Sequence, residues 1–191
     1  MITNREQLRI YLQEDANANK MSARYSFRGR IRYFALLLIG DETAHVIKYL
    51  YTLRHLEYWT NKPSSLWRNI IRKFWSIRHC RLSHRYGIHI GPNMVEQGLR
   101  IAHFAGGVIV NCEKMGTHCI VTTGVVIGNK NLTESRPIIG NNVEFAMGCK
   151  VYGKIIIGDN VRIAPNAVVF KDIPNNCAIG GDPACIIKTY E

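Results

Sequence analysis

An aliphatic or aromatic residue recurs at every sixth position between Ile139 and Pro174, and this repeat limits the possible folds more than any other feature. The first row of repeat positions is Ile139, Phe145, Val151, Ile157, Ile163 and Val169. The second row, four residues after each of these, holds only small or β-branched residues: Val143, Cys149, Ile155, Val161, Ala167 and Ile173. A period of six fits neither an amphipathic helix nor a strand alternation, and it is typical of a parallel β-helix.

The repeat continues toward the N-terminus after one interruption. Extending the register backwards places Ile127, Val121, Met115 and Ile109 in the first row. Between Gly128 and Ile138 the residues are polar or turn-forming, which predicts one loop extruded from the coil. A functional loop and a tolerated insertion are equally good interpretations of this segment.

The residues before the coil show helical periodicity, so we predict an α+β fold. An N-terminal α-helical region (1–87) is followed by a β-helix domain with a C-terminal tail (88–191). The predicted helices cover about 5–13, 26–39, 42–59 and 64–86. Gly87 is expected to end the last helix, because glycine adopts the left-handed conformation found after helix C-termini.

The net charge of +11 lies almost entirely in the helical region. Residues 1–87 contain 16 Lys and Arg against 6 Asp and Glu, a net of +10, whereas 88–191 contain 9 against 8, a net of +1. In the last predicted helix, apolar residues at helical spacing have basic residues on the other sides. Such a region can meet nucleic acid, an anionic membrane or a phosphorylated acceptor, and a solvated surface explains it equally well.

The six cysteines indicate core packing. They lie at positions 80, 112, 119, 149, 177 and 185 without a C-x-x-C pair, and two of them fall in the second row of the repeat. We therefore predict a reducing compartment and no bound metal. No apolar run is long enough to span a membrane and the N-terminus lacks an apolar signal core, so we expect a cytoplasmic protein. Peripheral contact with the inner membrane stays open.

His103 interrupts the backward extension of the repeat. It lies six residues before Ile109, where the row calls for an aliphatic side chain, and Gly106 and Gly107 follow it. Histidine changes its charge near neutral pH, which suits a general base. A hydrogen-bonded core histidine is favoured by the pattern alone, so both interpretations stand at this point.

Four segments resemble the serine acetyltransferase branch of the hexapeptide-repeat acyltransferases. They are Gly87-Ile88-His89-Ile90-Gly91-Pro92, the run from Ala102 to Val110, Arg136-Pro137-Ile138-Ile139-Gly140, and Ala178-Ile179-Gly180-Gly181-Asp182-Pro183-Ala184. The resemblance covers roughly residues 35–188. It implies a left-handed parallel β-helix, acetyl-CoA as co-substrate without a metal, and a homotrimer with its active sites between subunits.

The resemblance also implies individual site residues. His103 would be the general base, with backbone N–H groups near Gly106 and Gly107 holding the oxyanion. The implied CoA contacts are Gly128, Ala146, Gly148, Ala164, Pro165 and Gly181, with Lys171 or Lys188 near the phosphates. The implied acceptor contacts are His89, Asn111 and Arg136.

Departures from the family's pattern bear on the acceptor. The family has D-I-H-P where this chain has His89-Ile90-Gly91-Pro92, and Arg136 stands where a histidine helps to hold serine. Arginine binds carboxylate or phosphate and not an ammonium group, and no acid is evident for the ammonium group of serine, so we expect an anionic acceptor. The run His103-Phe104-Ala105-Gly106-Gly107 after a short basic helical region resembles the branch that acetylates sugar hydroxyls on capsule or lipopolysaccharide precursors. Nucleic acid is not an expected partner.

Two alternatives from other classes remain. The chain is a serine O-acetyltransferase of cysteine biosynthesis if another carboxylate, such as Asp41 or Glu42, reaches the site. It is a non-catalytic hexapeptide scaffold if it transfers no acetyl group at all.

Overall fold

A computed structural model describes residues 1–21, 27–129 and 136–190 of the chain. The helices are α1 (Arg5–Ala18), α2 (Phe27–Leu38), α3 (Glu42–Thr60) and α4 (Leu66–Tyr86). The strands are β1 (Ile88–Ile90), β2 (Arg100–Ala102), β3 (Val108–Val110), β4 (Lys114–Met115), β5 (Ile120–Thr122), β6 (Val126–Gly128), β7 (Ile138–Ile139), β8 (Glu144–Phe145), β9 (Lys150–Tyr152), β10 (Ile156–Ile157), β11 (Arg162–Ile163), β12 (Val168–Val169), β13 (Cys177–Gly180) and β14 (Cys185–Thr189).

The strands form a parallel β-helix of about four turns with three flat sides. Sheet A contains β1, β3, β6, β9 and β12, sheet B contains β4, β7 and β10, and sheet C contains β2, β5, β8, β11 and β13. Strand β14 adds to the edge of sheet C in the antiparallel direction. The predicted fold class is therefore confirmed. Most of the predicted extruded loop, residues 130–135, lies outside the described residues.

The six-residue repeat supplies the core of the coil. All six first-row residues are buried, and each sheet contains two of them. Phe145 pairs with Ile163 one turn later, so that three six-residue steps complete one turn. Burial of each such aliphatic or aromatic side chain contributes about 1.5–3 kcal/mol, and stacking of like residues repeats this contribution along the axis.

The backward extension of the repeat is wrong by one residue before Met115. Val110 is buried and pairs with Ile127, whereas Ile109 is 43% exposed. The step from Val110 to Met115 is one residue shorter than the repeat, while the short 3₁₀ helix Phe104–Gly106 lengthens the preceding corner. Ile101 consequently takes the inward place, and the prediction that His103 occupies an aliphatic position is wrong.

The helical region follows the predicted boundaries except in α1. Asn4, Asp41 and Ser65 cap α1, α3 and α4 through side-chain oxygens, and Gly87 ends α4 with a φ of 66°. Helix α1 continues to Ala18, past its predicted end near residue 13 and through Asp15. The carboxylate of Asp15 is paired and hydrogen-bonded with groups from outside its own helix.

Helix α3 lies at the centre of the helical region and joins it to the coil. Its residues Val46, Tyr49, Leu50 and Leu53 belong to one core cluster with the C-terminal part of α4 and the interior of the β-helix. None of the helices in the described ranges is long and apolar enough to cross a bilayer.

The prediction that the cysteines pack in the core is confirmed for four of the five cysteines after residue 87. Cys112, Cys119, Cys149 and Cys177 are buried and free, whereas Cys80 and Cys185 are exposed. Burial raises the pKa of the Cys112 and Cys149 thiols to about 12. These side chains are therefore neutral packing groups.

His79 is expected to make stability depend on pH. Its Nε2 lies 3.1 Å from the Tyr49 hydroxyl, and burial, assisted by His89, lowers its pKa from 6.5 to about 4. Between these values the unfolded chain binds a proton that the folded chain does not, so stability falls as pH is lowered, by up to about 1.4 kcal/mol per unit. Urea unfolding from pH 7 to pH 4 measures this effect.

The matched variant for that measurement is His79→Gln, which retains a hydrogen-bonding side chain but does not titrate. Its unfolding free energy should decrease less steeply with falling pH than that of the wild type. Identical slopes for the two proteins would contradict the assignment.

Candidate active site

His103 lies at the corner between sheets C and A, the C/A corner, and its side chain faces outward. It follows β2, adopts a left-handed backbone conformation with a φ of 56°, and leaves 78% of its side chain exposed. Asparagine and histidine tolerate this conformation better than most residues, and asparagines take it at several lower corners. The His103 imidazole therefore lies at the surface of this corner and does not pack in the core.

Glu42, the first residue of α3 in the helical region, contacts this imidazole. One carboxylate oxygen, Oε2, lies 3.2 Å from His103 Nδ1, and the other, Oε1, accepts the Phe104 backbone N–H at 2.7 Å. A carboxylate at Nδ1 favours the tautomer with a proton there, which leaves the Nε2 lone pair facing outward. The pair has the arrangement of a general base with an orienting acid.

A cleft of about 300 Å³ opens beside His103, between the helical region and the first turn of the coil. Its walls carry both signs of charge, since Asp41 and Glu42 lie at the start of α3 and Arg32, Lys20 and Arg100 lie around them. The mixture suits a small molecule with one cationic and one anionic group. Sequence reasoning considered Asp41 and Glu42 but missed Arg32 and Arg100.

Most of the predicted CoA contacts stack below His103 on the same C/A corner. Ala146 and Gly148 flank the corner between β8 and β9, Ala164 and Pro165 follow β11, and Gly181 follows β13. Successive turns are bonded there: Gly124 N–H donates to the Gly107 carbonyl at 2.7 Å, and Gly148 N–H to that of Thr123 at 3.0 Å. Gly148 has a φ of 76° and an added Cβ would meet Asn166 Oδ1, so a residue with a side chain would be strained at this position.

The remaining predicted contacts lie elsewhere. These are Gly128 at the end of a sheet A strand, Asn111 and Lys171 just after such strands, and Arg136 just before a sheet B strand. All four lie at the opposite A/B corner. Three-residue strands separate the two corners by about 10 Å, so one chain does not bring both groups together.

His89 and Lys188 are also apart from His103. His89 faces outward from sheet A, paired in register with Ile109, and its ring contacts that of His84. Lys188 lies on β14 opposite Ala178 of sheet C. Within the described ranges, Glu42 is the side chain hydrogen-bonded to the His103 imidazole, and the roles assigned to His89 and Lys188 stay predictions.

The backbone of the glycine pair is already engaged. Gly106 N–H donates to Thr123 Oγ1 at 2.7 Å, and Gly107 N–H donates to the Phe104 carbonyl at 2.8 Å. Both groups have acceptors within the chain, so neither is available to an oxyanion in this conformation. The described residues also contain no group of three or more His, Cys, Asp and Glu side chains that could hold a metal.

The parallel β-helix and the site at its C/A corner can be compared with those of known proteins. Residues 136–171 match the family model described as "Bacterial transferase hexapeptide (six repeats)". Serine acetyltransferase of Synechococcus elongatus is 38% identical over 104 residues, covering 53% of this chain and 43% of that protein. The chain spans about half the length of the curated relatives it matches.

Solved structures of serine acetyltransferases resemble the whole chain. The Neisseria gonorrhoeae enzyme in complex with serine has a TM-score of 0.68 at 21% identity, covering 96% of this chain and 70% of that one. A serine acetyltransferase in complex with CoA has a TM-score of 0.65 at 19% identity, covering 96% and 71%. At these identities the likeness shows the fold alone, and that fold matches the left-handed β-helix of hexapeptide-repeat proteins.

Proposed function

We propose that this protein is an acetyl-CoA-dependent O-acetyltransferase whose acceptor is serine. The observation that carries the proposal is the cleft beside His103, which is lined by the carboxylates of Asp41 and Glu42 and by the cations Arg32 and Arg100. A free amino acid needs partners for both its ammonium and its carboxylate group, and this cleft offers both.

The sequence-based preference for a capsule or lipopolysaccharide acceptor has less support. It depended on the lack of an acid for the ammonium group of serine, and α3 brings two acids to the cleft. The relatives are serine acetyltransferases, which supports the alternative named from the sequence. Arg136, on which the anionic-acceptor hypothesis depended, lies at the A/B corner, away from His103.

The reaction is a direct transfer in this proposal. His103 Nε2 accepts the proton of the serine hydroxyl while the hydroxyl oxygen attacks the thioester carbonyl carbon of acetyl-CoA. The tetrahedral intermediate then expels the CoA thiolate, which takes the proton back from His103. Glu42 stabilises the imidazolium that exists between the two steps, and no covalent enzyme intermediate forms.

Acetyl-CoA is proposed to lie along the C/A corner. The small residues Ala146, Gly148, Ala164 and Gly181 give this corner a low profile directly below His103, where a thioester would reach the base. The complex of a similar protein with CoA supports acetyl-CoA as the co-substrate.

A homotrimer is part of the proposal. Because Asn111, Arg136 and Lys171 lie at the A/B corner, they reach the substrates only if a neighbouring chain places its A/B corner against the C/A corner of the first. A threefold arrangement of three-sided coils brings these corners together at each of three interfaces.

Asp41→Asn tests the acceptor assignment. Asparagine caps a helix as well as aspartate does, so the change removes charge without removing the cap of α3. The KM for serine should rise roughly tenfold to a hundredfold, as expected for a lost charge-assisted hydrogen bond, while the KM for acetyl-CoA stays unchanged. Steady-state kinetics with each substrate varied measures both.

Asp159→Asn is the matched control, because Asp159 is a coil residue whose Oδ1 accepts the Asn141 backbone N–H. It should change neither KM. A wild-type kcat/KM for an acidic sugar or nucleotide sugar well above that for serine would overturn the proposal in favour of a glycan acceptor. Absence of acetyl-CoA consumption with every acceptor would favour the scaffold alternative.

A further inference from the structure

The apolar stripe of α4 faces away from the protein. Its members are Leu66, Trp67, Ile70, Phe74 and Ile77, which are between 48% and 76% exposed. They repeat at helical spacing along the first three turns of the helix, whereas Leu82 and Tyr86 on the opposite side pack into the core. Large contiguous apolar patches on a soluble surface mark interaction sites.

Helix α2 shows the same feature independently. Phe27, Ile31, Phe34 and Leu38 form one stripe, and they are 78%, 58%, 58% and 88% exposed. Gly29 and Tyr33, on the other side of the helix, are buried. Two helices of the same region therefore expose apolar faces.

The charged residues within both helices are all basic. Helix α4 contains Arg68, Arg72, Lys73, Arg78, Arg81 and Arg85 and no acidic residue. Helix α2 contains three arginines and no acidic residue. Of the six acids in residues 1–87, Asp15 and Glu57 are buried against Arg54, which removes their charge from the surface.

We propose that these two helices dock on an anionic phospholipid bilayer, with the apolar stripes in the acyl boundary and the basic side chains at the headgroups. This is the composition of an interfacial helix: bulky apolar residues on one face, Lys and Arg on the rest. A second copy of this chain is the weaker fit, because pairing like faces would bring two sets of cations together without a carboxylate. Nucleic acid offers no partner for the apolar stripes.

The groove between α3 and α4 gives the docking surface a phosphate-binding element. Lys48, Arg78, Arg81 and Arg85 line a cavity of about 480 Å³ together with the apolar residues Phe74, Ile77 and Leu82. Lys48 is six residues beyond Glu42 on α3, so the groove lies about 9 Å along that helix from the acid that holds His103. Docking would thus bring the active site close to the membrane surface.

Vesicle co-sedimentation tests the proposal with the full chain. The protein should bind equimolar phosphatidylglycerol–phosphatidylcholine vesicles, and it should bind pure phosphatidylcholine vesicles or anionic vesicles at high salt much more weakly. Arg81→Gln/Arg85→Gln should lower the partition coefficient about 25-fold, since each basic side chain near an anionic surface is worth about fivefold. Trp67→Gln/Phe74→Gln should lower it at least about tenfold.

Matched changes on the coil provide the controls. Lys154→Gln/Arg162→Gln removes two positive charges, and Ile156→Gln/Ile186→Gln removes two exposed apolar side chains. Both should bind vesicles like the wild type. Circular dichroism is used to check that every variant is folded.

Three outcomes overturn the proposal. The first is a wild type that fails to sediment with anionic vesicles, and the second is equal loss of binding in the coil variants. The third is a chain that self-associates through α4, shown by sedimentation velocity as dissociation of the Trp67→Gln/Phe74→Gln variant, and does not bind vesicles.

Discussion

Replacing His103 is expected to lower kcat for acetyl transfer by about a hundredfold or more, the range that general-base catalysis supplies. The choice of substitute matters because the residue has a φ of 56°. Alanine removes the base and adds backbone strain of about 1–2 kcal/mol, whereas asparagine tolerates this conformation and removes only the base. Both variants should retain the wild-type KM for acetyl-CoA.

His103→Asn is therefore the informative variant. Its unfolding midpoint should stay close to that of the wild type, because 78% of the imidazole is exposed. A rate above about one tenth of the wild type would contradict the general-base assignment.

The orienting role of Glu42 can be tested in the same assay. Glu42→Gln retains an oxygen for the Phe104 N–H but removes the charge beside His103, so kcat should fall at least about tenfold while the KM for acetyl-CoA stays near that of the wild type. In the double variant with His103→Asn, the Glu42 change should not lower kcat any further. If Glu42 had a merely structural role, its change would lower kcat in both backgrounds. Glu6→Gln, in the first turn of α1, controls for loss of an acid near a helix N-terminus.

The coil could be predicted from the sequence because its repeat is local. Each six-residue unit contains its own inward side chain and its own corner, so spacing alone identifies the buried residues. The prediction failed where corners differ in length. The 3₁₀ helix at Phe104–Gly106 and the short step from Val110 to Met115 change the register, and no periodicity in the sequence reports such a change.

The site was predicted only in part, because its acid comes from a distant segment. Glu42 and His103 are 61 residues apart in the chain, and their contact depends on how α3 packs against the first turn. Glycine and alanine positions on one corner follow from the repeat, since equal spacing places them in one column. The positions of the cations in the cleft do not follow from the repeat, because these residues lie on elements with no common register.

The stripe of α4 shows a further limit. Helical spacing of Leu66, Ile70, Phe74 and Ile77 correctly predicts an amphipathic helix, but periodicity does not say which face meets the protein. Here the opposite side, with Leu82 and Tyr86, meets the core.

Arg54 joins three parts of the molecule in its interior. It is fully buried on α3, and its guanidinium lies 2.8 Å from Asp15 of α1 and 3.0 Å from Glu57 of its own helix. It also donates to the backbone carbonyls of Val95 and Glu96 in the first turn of the coil, at 2.7 and 2.9 Å. Burial alone would lower the pKa of Arg54, but the two carboxylates more than reverse this effect.

Each of those carboxylates in turn bonds the coil. Asp15 accepts the backbone N–H groups of Gly98 and Leu99, and Glu57 accepts that of Asn93. This network accounts for the continuation of α1 past Asp15, since the aspartate is satisfied by partners outside its helix. It also fixes the helical region on the first turn, where Glu42 must meet His103.

Arg54→Met should destabilise the protein by about 3–5 kcal/mol, because it leaves Asp15 and Glu57 as buried charges without a cation. For a chain of this length this lowers the melting temperature by roughly 6–20 °C. Adding Asp15→Asn and Glu57→Gln removes the stranded charges, so the triple variant should regain part of the loss even though it has lost more native groups. Arg72→Met, at an exposed site on α4, should change stability by less than about 0.5 kcal/mol. Thermal and urea unfolding followed by circular dichroism measure all three. A triple variant less stable than Arg54→Met would show that hydrogen bonding to the coil, and not charge compensation, dominates the network.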